Sequence, residues 1–415
     1  MRLFSFIKIS VFFALSFFLL TSCSERNKEE TLIEQVAKIH TEALTIDTHL
    51  DTPIHLQRDT SFMLDQLHDG HQKANGKVDF PRMDIGGMDV GFFIVWTSQR
   101  DRTPEGNEKA KEKAFEIFDL IKSNVNKYPE FAELAFSTDD IQSITADGKH
   151  AILIGMENGY PIGTDISLVE TYYDLGTRYI TLCHYEDNDI CDASTDKSED
   201  EGLSAFGVEV VNEMNRLGII VDVSHISDKS FYDVVKVSEV PVIASHSSIR
   251  SLCDHPRNMT DDMIKQLAEN GGVIQITLVN EYIKTPPSNP QRDSAMADLK
   301  KQFKSYKDLT DEKRSAFHDA YSELSRQFPQ PRATLQDAAD HIDHAVKLVG
   351  VNHIGIGSDF DGGGGLEGVH DISEMGNITL ELLKRGYSEE DIKKIWGGNL
   401  MRVFEQVEEF AKQNN

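Results

Sequence analysis

The chain has 415 residues and a formal net charge of −27 at pH 7, from 42 basic and 69 acidic side chains. This acidic balance argues against nucleic acid as a partner and against a polybasic grip on anionic lipid, and the length allows one large domain or two ordinary ones. The four cysteines show no paired thiolate spacing, so any metal chemistry must use histidines and carboxylates.

The N-terminus has the parts of an export signal. A charged start precedes an apolar run over residues 9–20, and Thr21-Ser22-Cys23 supplies a small-residue exit. The run is shorter than the roughly 20 residues that span a bilayer, so a retained anchor helix is the weaker alternative. The exit also resembles the bacterial lipobox, which predicts a signal peptide over residues 1–22, a lipid on Cys23 and a polar tether over residues 23–38. We therefore expect an exported bacterial lipoprotein, anchored to a membrane of the cell envelope at the periplasmic face or the cell surface.

Apolar, β-branched runs recur after the tether, and most gaps between them contain an amphipathic helical stretch. This alternation indicates a parallel sheet covered by helices, and eight repeats favour a closed (β/α)8 barrel of the TIM type over an open sheet. We predict one such domain over residues 39–415, with a polar insertion over residues 284–331 that forms two surface helices. The eight predicted strands are Leu44–Ile46, Val90–Trp96, Ala151–Gly155, Tyr179–Leu182, Ile219–Val223, Val240–Ala244, Val273–Leu278 and His353–Gly357.

Potential metal ligands follow six of the eight predicted strands, at the end of the barrel where active sites form. His49 and Asp51 are two positions apart, so strand alternation directs both into the barrel mouth. Each histidine alone is more often structural, but a cluster of converging acids and imidazoles needs a cation to offset its repulsion. Zinc suits this ligand set, and manganese and iron also accept it. The candidates are His49, Asp51, Glu157, His184, His225, His246, Asp359 and Asp361.

The number of ligands suggests two metal ions, because His49, Asp51, Glu157, His225 and His246 would be too many for one zinc with an open position. Glu157 is the natural bridge, since its two oxygens can hold two cations about 3.5–4 Å apart around a shared, acidified water. Asp359 or Asp361 could then move the proton of that water to the leaving amine. We favour Asp359, which lies nearer the strand end; a further metal ligand is its alternative role.

One cation is placed to receive a substrate anion. Arg257 follows the sixth predicted strand within Asp254-His255-Pro256-Arg257-Asn258 and can bind a carboxylate through two hydrogen bonds. A surface arginine is the alternative interpretation. Gly362–Gly365 lacks the Lys-Ser/Thr of a phosphate-binding loop, so we interpret it as a flexible loop over the site.

Three cysteines remain beyond Cys23, an odd number for an exported chain. Cys183 and Cys191 are near enough in sequence to bridge, and Cys253 has no such neighbour. The sequence leaves this pairing open.

Six phrases at the strand ends together resemble the membrane dipeptidase family, also called renal dipeptidase-like metallopeptidases. They occur in order along nearly the whole chain after the tether, and as an ordered set they are highly specific. The resemblance implies a metal-dependent hydrolase barrel and, with the lipobox, a bacterial lipoprotein-type member. The phrases are Ile46-Asp47-Thr48-His49-Leu50-Asp51, Leu175-Gly176-Thr177-Arg178-Tyr179-Ile180-Thr181-Leu182, Asp222-Val223-Ser224-His225, Ser245-His246-Ser247-Ser248, Asp254-His255-Pro256-Arg257-Asn258 and Gly357-Ser358-Asp359-Phe360-Asp361-Gly362.

The resemblance assigns the metal ligands in the way that the residues themselves suggest. It implies one zinc held by His49, Asp51 and Glu157, and a second zinc held by Glu157, His225 and His246. Glu157 would thus bridge two zinc ions in each subunit.

The resemblance also implies roles around the substrate, a dipeptide with either an L- or a D-residue at its C-terminal position. His184 would polarise the scissile carbonyl or stabilise its oxyanion, Arg257 would hold the C-terminal carboxylate, and Asp359 would shuttle the proton. The family is commonly homodimeric. The insertion is longer than in animal members and resembles bacterial ones, and residues 411–415 lack the hydrophobic tail of a C-terminal lipid anchor, which leaves anchoring to Cys23.

Two other functions compete with the dipeptidase. Another binuclear metal-dependent amidohydrolase would act on a non-peptide amide, but such enzymes tend to carry His-x-His after strand one and often a modified lysine after strand four. This chain instead has His49-Leu50-Asp51 and Cys183-His184. A non-catalytic lipoprotein that binds peptide or metal is the other competitor, and it would have little use for Asp359.

Overall fold

The computed structural model describes the chain from residue 31 to residue 414, except for residues 71, 73–75, 197–200, 304–308 and 310. The predicted signal peptide, Cys23 and the tether up to residue 30 lie outside the described residues. Helix α1 spans 31–42, so it includes the last part of the predicted tether, and its Ile39 is fully buried. In the described part of the chain, no helix is both long and apolar enough to cross a bilayer.

Eight parallel strands form a nearly closed barrel, which confirms the predicted (β/α)8 fold. Their order around the ring is β1-β2-β4-β5-β6-β7-β8-β9, and the short β3 pairs with β4 outside the ring. The strands are β1 Ile46–Leu50, β2 Val90–Trp96, β3 Ala132–Leu134, β4 His150–Glu157, β5 Thr177–Thr181, β6 Ile220–Asp222, β7 Ile243–Ser247, β8 Val273–Ile276 and β9 Ile354–Ile356.

The seam between β9 and β1 is closed by the segment that follows β9. The amide of Asp359 donates to the carbonyl of His49 over 3.1 Å, and the amide of Asp51 donates to the carbonyl of Phe360 over 2.8 Å. Asp47 adds a side-chain bond, because its Oδ1 accepts from the Ser358 amide over 2.9 Å. The candidate residues of the first and last strands are therefore held side by side by the backbone itself.

Helices cover the barrel, and polar residues mark where many of them begin. Thr103, Ser204 and Thr260 each accept a bond from an amide of the first turn, as an N-cap residue should. The helices are α2 Thr52–Arg58, α3 Phe80–Gly86, α4 Pro104–Asn126, α5 Thr138–Ala146, α6 Ser167–Asp174, α7 Ala205–Leu217, α8 Asp228–Val237, α9 Asp261–Glu269, α10 Asn280–Ile283, α11 Pro290–Phe303, α12 Asp311–Gln327, α13 Leu335–Val349, α14 Gly376–Arg385, α15 Glu389–Lys393 and α16 Asn399–Asn414.

The apolar residues form two buried clusters, which strand alternation separates. On β2, Phe93 and Val95 belong to the cluster shared with the surrounding helices, whereas Phe92 and Ile94 belong to the barrel interior. Residues of α16, such as Phe404, complete the inner cluster. This helix packs at the end where the strands begin, so the opposite end of the barrel is left for a site.

The insertion contains two helices, α11 and α12, as predicted. Their aromatic side chains meet, with the rings of Phe303 and Phe317 5.5 Å apart in an edge-to-face arrangement. Cys183, Cys191 and Cys253 are buried free thiols, so the possible bridge between the first two is not formed in this structure.

Candidate metal centre

A single carboxylate oxygen lies at the centre of four imidazoles. Glu157 is the last residue of β4, and its Oε1 is 3.0 Å from Nε2 of His225 and 3.4 Å from Nε2 of His246. Nε2 of His49 lies 3.7 Å from the same oxygen, and Nε2 of His184 lies 3.6 Å from it. Strand ends that are far apart in sequence thus converge as the barrel predicts.

The cluster contains three overlapping groups of potential ligands. In each group the ligand atoms lie within 4.8 Å of one another, and every member is a candidate predicted from the sequence. Asp51 is close to the first strand's histidine, with its Oδ2 3.7 Å from Nε2 of His49. The groups are His49 with Glu157 and His246, Glu157 with His184 and His225, and His49 with Asp51 and Asp359.

The acids of the cluster are costly to keep together without a cation. Burial raises the pKa of Glu157 well above its ordinary value, and the charges of Asp51 and Asp359 add to this. Burial and the charge of Asp51 raise the pKa of Asp359 to about 8. Burial alone would lower the pKa of His49, but the charges of Glu157 and Asp51 raise it to about 10. In the metal-free protein, a proton on His49 therefore partly neutralises the carboxylate charges that a metal cation would otherwise offset.

The other three histidines are in the neutral form that metal binding requires. Burial lowers the pKa of His184, His225 and His246 well below the ordinary value, and the positive charge of Arg257 lowers each further. A neutral imidazole offers a lone pair on one nitrogen, which makes it a ligand or a hydrogen-bond acceptor there. The electrostatics thus leave these rings uncharged around Glu157.

Tyr179 determines which nitrogen of His49 faces the cluster. The Tyr179 hydroxyl donates to the carbonyl of Thr48 over 3.0 Å, so it can only accept from His49 Nδ1, at 2.9 Å. Nδ1 therefore carries the donated proton, so Nε2, which faces Glu157, is the nitrogen that would give up its proton to bind a metal ion. Within the described residues, His49 Nε2 and Asp51 Oδ1 are buried without a hydrogen-bond partner. Buried nitrogen and oxygen atoms without a hydrogen-bond partner are suited to act as ligands of a metal ion.

A second chain of hydrogen bonds orients His246 in the same way as Tyr179 orients His49. Ser245 Oγ donates to Asp222 Oδ2 over 2.6 Å and so accepts from His246 Nδ1 over 2.8 Å. Thr181 also donates to this carboxylate, over 2.5 Å. His246 is left with an unprotonated Nε2 in the cluster, which is the tautomer of a metal ligand.

His184 is oriented in the opposite sense. The indole N–H of Trp96 can only donate, and it lies 3.5 Å from His184 Nδ1. This long bond leaves the ring proton on Nε2, the atom that faces Glu157. His184 thus presents a hydrogen-bond donor to the site, unlike His49 and His246.

The two candidate proton carriers have different surroundings. Asp361 accepts from the Thr52 hydroxyl over 3.1 Å and from the Lys77 amide over 2.7 Å, so its oxygens hold neighbouring segments. Asp359 instead lies in the metal-ligand cluster. A Cβ on Gly362 would lie 2.1 Å from carboxylate oxygens of both Asp51 and Asp359, so only glycine allows this approach of the two acids. The predicted loop that begins at Gly362 is thus packed on the site.

The backbone is strained around the site. The described residues other than glycine with positive φ are Asn158, His225, Asp359 and Asp361, at φ 82°, 71°, 59° and 71°. All four follow strands of the barrel, in the segments that form its mouth. Such conformations cost of order 1–3 kcal/mol each and are retained where a site needs them.

Arg257 is a buried residue, which is contrary to the surface alternative. Its side chain is 3% exposed, and one Nη2 hydrogen goes to the carbonyl of His246 over 3.1 Å. Its Cζ lies 5.4 Å from the ring centroid of Tyr282. Among the described residues its Nε has no partner, so the guanidinium keeps hydrogen-bonding capacity.

The residues that orient the histidines were not among those predicted from the sequence. Tyr179 lies inside the predicted run Tyr179–Leu182, where it counted only as a strand former. Alternation along β5 separates Tyr179, of the inner cluster, from Ile180, of the outer cluster, and this could have flagged a polar group inside the barrel. Its partner His49 could not be identified without the strand order.

We expect Tyr179→Phe to lower metal affinity by about 10- to 100-fold, because His49 loses the bond that fixes its ring and tautomer. Competition with a chromophoric chelator measures this without an activity assay. Tyr172→Phe is the matched control, since this buried hydroxyl donates to the carbonyl of Pro161 over 3.1 Å, away from the metal-ligand cluster. Equal affinity of wild type and Tyr179→Phe would contradict the orienting role.

The chain matches the profile of one protein family along nearly its whole described length. The family is described as membrane dipeptidase (peptidase family M19), and the match covers residues 33–415. An uncharacterized dipeptidase of Schizosaccharomyces pombe is 31% identical over 401 residues, 94% of this chain and 86% of that protein. Dipeptidase aclJ of Aspergillus oryzae is 33% identical over 348 residues, 82% of this chain and 72% of that protein.

Solved structures agree with the sequence matches. The probable dipeptidase PvdM of Pseudomonas aeruginosa superposes with a TM-score of 0.82 at 29% identity, over 92% of this chain and 100% of that chain. The barrel, its ligand cluster and the family profile therefore lead to one assignment. The chain belongs to the membrane dipeptidase family and is a metal-dependent dipeptidase.

Proposed function

We propose that the chain cleaves the peptide bond of dipeptides with two zinc ions bridged by Glu157. His49 and Asp51 would complete the first ion's ligands, and His225 and His246 those of the second. The observation that carries this assignment is the position of Glu157 Oε1, which lies within 3.7 Å of all three histidine nitrogens. Imidazole and carboxylate are the ligands of catalytic zinc sites.

The remaining residues have distinct tasks around the substrate. Two bound metal ions would polarise the scissile carbonyl and acidify a water between them. His184 donates its Nε2 proton to the carbonyl oxygen, where negative charge develops. Asp359 accepts a proton from the attacking water and passes it to the leaving amine, since its carboxylate lies in the same cluster as His49 and Asp51.

Arg257 would set the length of the substrate by binding its C-terminal carboxylate. Its burial strengthens a charge-assisted pair with an incoming carboxylate. Recognition through the carboxylate makes few demands on the neighbouring side chain, so we propose that both L-L and L-D dipeptides are substrates. A non-peptide amide that lacks this carboxylate is the alternative substrate class.

Hydrolysis by the purified full chain tests the proposal. The substrates are an L-L dipeptide, an L-D dipeptide, a tripeptide and a cyclic amide, each with zinc and with chelator. Zinc-dependent cleavage of both dipeptides but not of the tripeptide, with two zinc ions per chain by elemental analysis, supports it. Cleavage of the cyclic amide alone would replace it with the non-peptide amidohydrolase.

Zinc binding at pH 7 is expected to release protons. With its pKa raised to about 10, the proposed ligand His49 holds a proton in the metal-free protein at this pH. A ligand must give up its proton, so the apparent affinity should rise as the pH increases from 7 towards 10. Titration calorimetry in two buffers with different ionisation enthalpies measures the release. Identical heats in both buffers would contradict it.

We also propose that the chain is an exported lipoprotein of the cell envelope, anchored through Cys23 and homodimeric. Cys23→Ala is expected to move the protein from the membrane fraction to the soluble fraction of bacterial cells, because no acyl chain would then be attached. Ser24→Ala, one residue away, is the control and should stay with the membrane. The mass of the detergent-purified protein in solution tests the dimer.

A further inference from the structure

Two tyrosines meet above the metal centre. The hydroxyls of Tyr185 and Tyr282 are 3.1 Å apart, close enough for one to donate to the other. Tyr185 follows β5, and Tyr282 lies in α10 beyond β8, so the contact spans the part of the barrel mouth that follows β6 and β7. Tyr185 is 48% exposed, whereas Tyr282 is 8% exposed. We call this contact the tyrosine bridge.

Both ends of the tyrosine bridge are fixed to the protein. The carbonyl of Tyr185 accepts a bond from the Thr195 hydroxyl over 2.8 Å. The carbonyl of Tyr282 accepts from the side-chain amide of Asn258 over 2.8 Å. Since Asn258 follows Arg257 directly, the backbone of Tyr282 is tied to the segment that carries the proposed carboxylate-binding residue. The bridge is therefore a fixed part of the site wall.

The tyrosine bridge lies on one side of the site. The ring of Tyr185 is 4.0 Å from that of His184 and 5.2 Å from that of His225, between centroids. Tyr282 lies under the guanidinium of Arg257, with 5.4 Å between its ring centroid and Cζ. The two rings therefore lie next to both the metal-ligand cluster and Arg257, the two parts of the site that would hold a substrate.

We infer that the tyrosine bridge restricts the enzyme to substrates of two residues by closing the space beyond Arg257. The inference rests on the proposed function, in which that arginine binds the C-terminal carboxylate. A tripeptide positioned for cleavage of its first bond would place its third residue where the two rings meet. Because hydroxyl and ring atoms fill this space, the tripeptide is excluded by contact rather than by weak attraction.

Opening the tyrosine bridge should create a new cleavage. In Tyr185→Ala, the first C–N bond of a tripeptide breaks, the hydroxyl of water joins the carbonyl carbon, and a proton goes to the nitrogen of the leaving dipeptide. The products are a free N-terminal amino acid and a C-terminal dipeptide. Half-exposed Tyr185 can be truncated without opening a large cavity in the core.

The experiment compares kcat/KM for Ala-Ala-Gly and Ala-Gly with the full-length, zinc-loaded enzyme, and identifies products by mass spectrometry. We expect Tyr185→Ala to raise the tripeptide-to-dipeptide ratio by about 10-fold or more. Tyr232→Ala is the matched control. This tyrosine of α8 is 40% exposed, and its hydroxyl donates to Asp262, away from the metal-ligand cluster. The control should keep the wild-type ratio.

Two conservative variants make the test independent of the folding of Tyr185→Ala. Tyr185→Phe and Tyr282→Phe each remove one oxygen and the hydrogen bond between the rings, and both should raise the same ratio by a smaller, similar factor. An unchanged ratio in all variants that still cleave Ala-Gly would overturn the inference but leave the dipeptidase. Failure of the wild type to cleave Ala-Gly would instead overturn the proposed function itself.

Discussion

Glu157→Gln is expected to lower kcat/KM for a dipeptide by about 1000-fold, the equivalent of roughly 4 kcal/mol of transition-state stabilisation. Glutamine keeps the volume of the side chain but replaces the bridging carboxylate with a neutral amide. Four imidazole nitrogens lie within 3.7 Å of Glu157 Oε1, so the amide cannot serve all the contacts that this oxygen makes. Steady-state kinetics with excess zinc measures the loss.

The same variant separates loss of metal from loss of fold. In the wild type, zinc should raise the thermal unfolding midpoint, because it binds only the folded chain. That increase should shrink in Glu157→Gln, whereas the midpoint of the metal-free protein should not fall. Burial already raises the pKa of Glu157, so this carboxyl is a cost to the metal-free protein near neutral pH.

Glu408→Gln provides the matched control. Glu408 accepts bonds from the amide and hydroxyl of Thr138, and it lies on α16 at the end of the barrel away from the cluster. Its replacement should leave both kcat/KM and the zinc-induced increase unchanged. A Glu157→Gln enzyme with wild-type kcat/KM would show that Glu157 does not bridge the metal ions.

The barrel could be predicted because apolar strands alternate with helices, but the first strand began later than expected. The run Leu44–Ile46 was predicted, whereas β1 spans Ile46–Leu50. Its later part carries Asp47 and His49, whose Oδ1 and Nδ1 atoms bond to Ser358 and Tyr179 inside the barrel. A strand that carries ligands has no apolar pattern to reveal it.

The strand that carries His246 shifted in the same direction. Val240–Ala244 was predicted, and β7 spans Ile243–Ser247. Pro241 has no amide to donate to a neighbouring strand, and the next amide binds the side chain of Asn270 over 2.8 Å. The ladder therefore starts two residues after the proline, and the histidine lies in the strand rather than beyond it.

The candidate ligands converge as predicted, although the bounds of these strands differ from the prediction, because of the barrel's geometry. All carboxyl ends of the strands meet at one mouth, so a ligand reaches the site whether it ends a strand or follows it. The orientation of the rings is different in kind. Tyr179 and His49 are 130 positions apart, and Tyr185 and Tyr282 are 97 apart, so their contacts depend on strand order and register. Neither is visible in the local pattern of one sequence.

Arg257→Ala is expected to raise KM for a dipeptide far more than it lowers kcat. A hydrogen bond to a charged group contributes about 1.5–3 kcal/mol, which corresponds to roughly 10- to 150-fold in kcat/KM. The loss falls mainly on KM because the carboxylate does not change during the reaction, so substrate and transition state lose the same contact. Kinetics with Ala-Gly over a wide concentration range measures both constants.

A dipeptide with an amidated C-terminus identifies the contact that is lost. The wild type should prefer the free acid strongly over the amide, since only the acid carries the charge that Arg257 pairs with. In Arg257→Ala the ratio of kcat/KM for the acid to that for the amide should fall towards unity, because no positive charge at position 257 then distinguishes the two. Arg402→Ala is the control: this arginine binds the carbonyls of Gly271 and Asn352, as Arg257 binds that of His246, but at the other end of the barrel. If Arg257→Ala kept the wild-type preference for the acid, another group would have to bind the carboxylate. The inferred role of the tyrosine bridge, which assumes that Arg257 binds this group, would then be wrong as well.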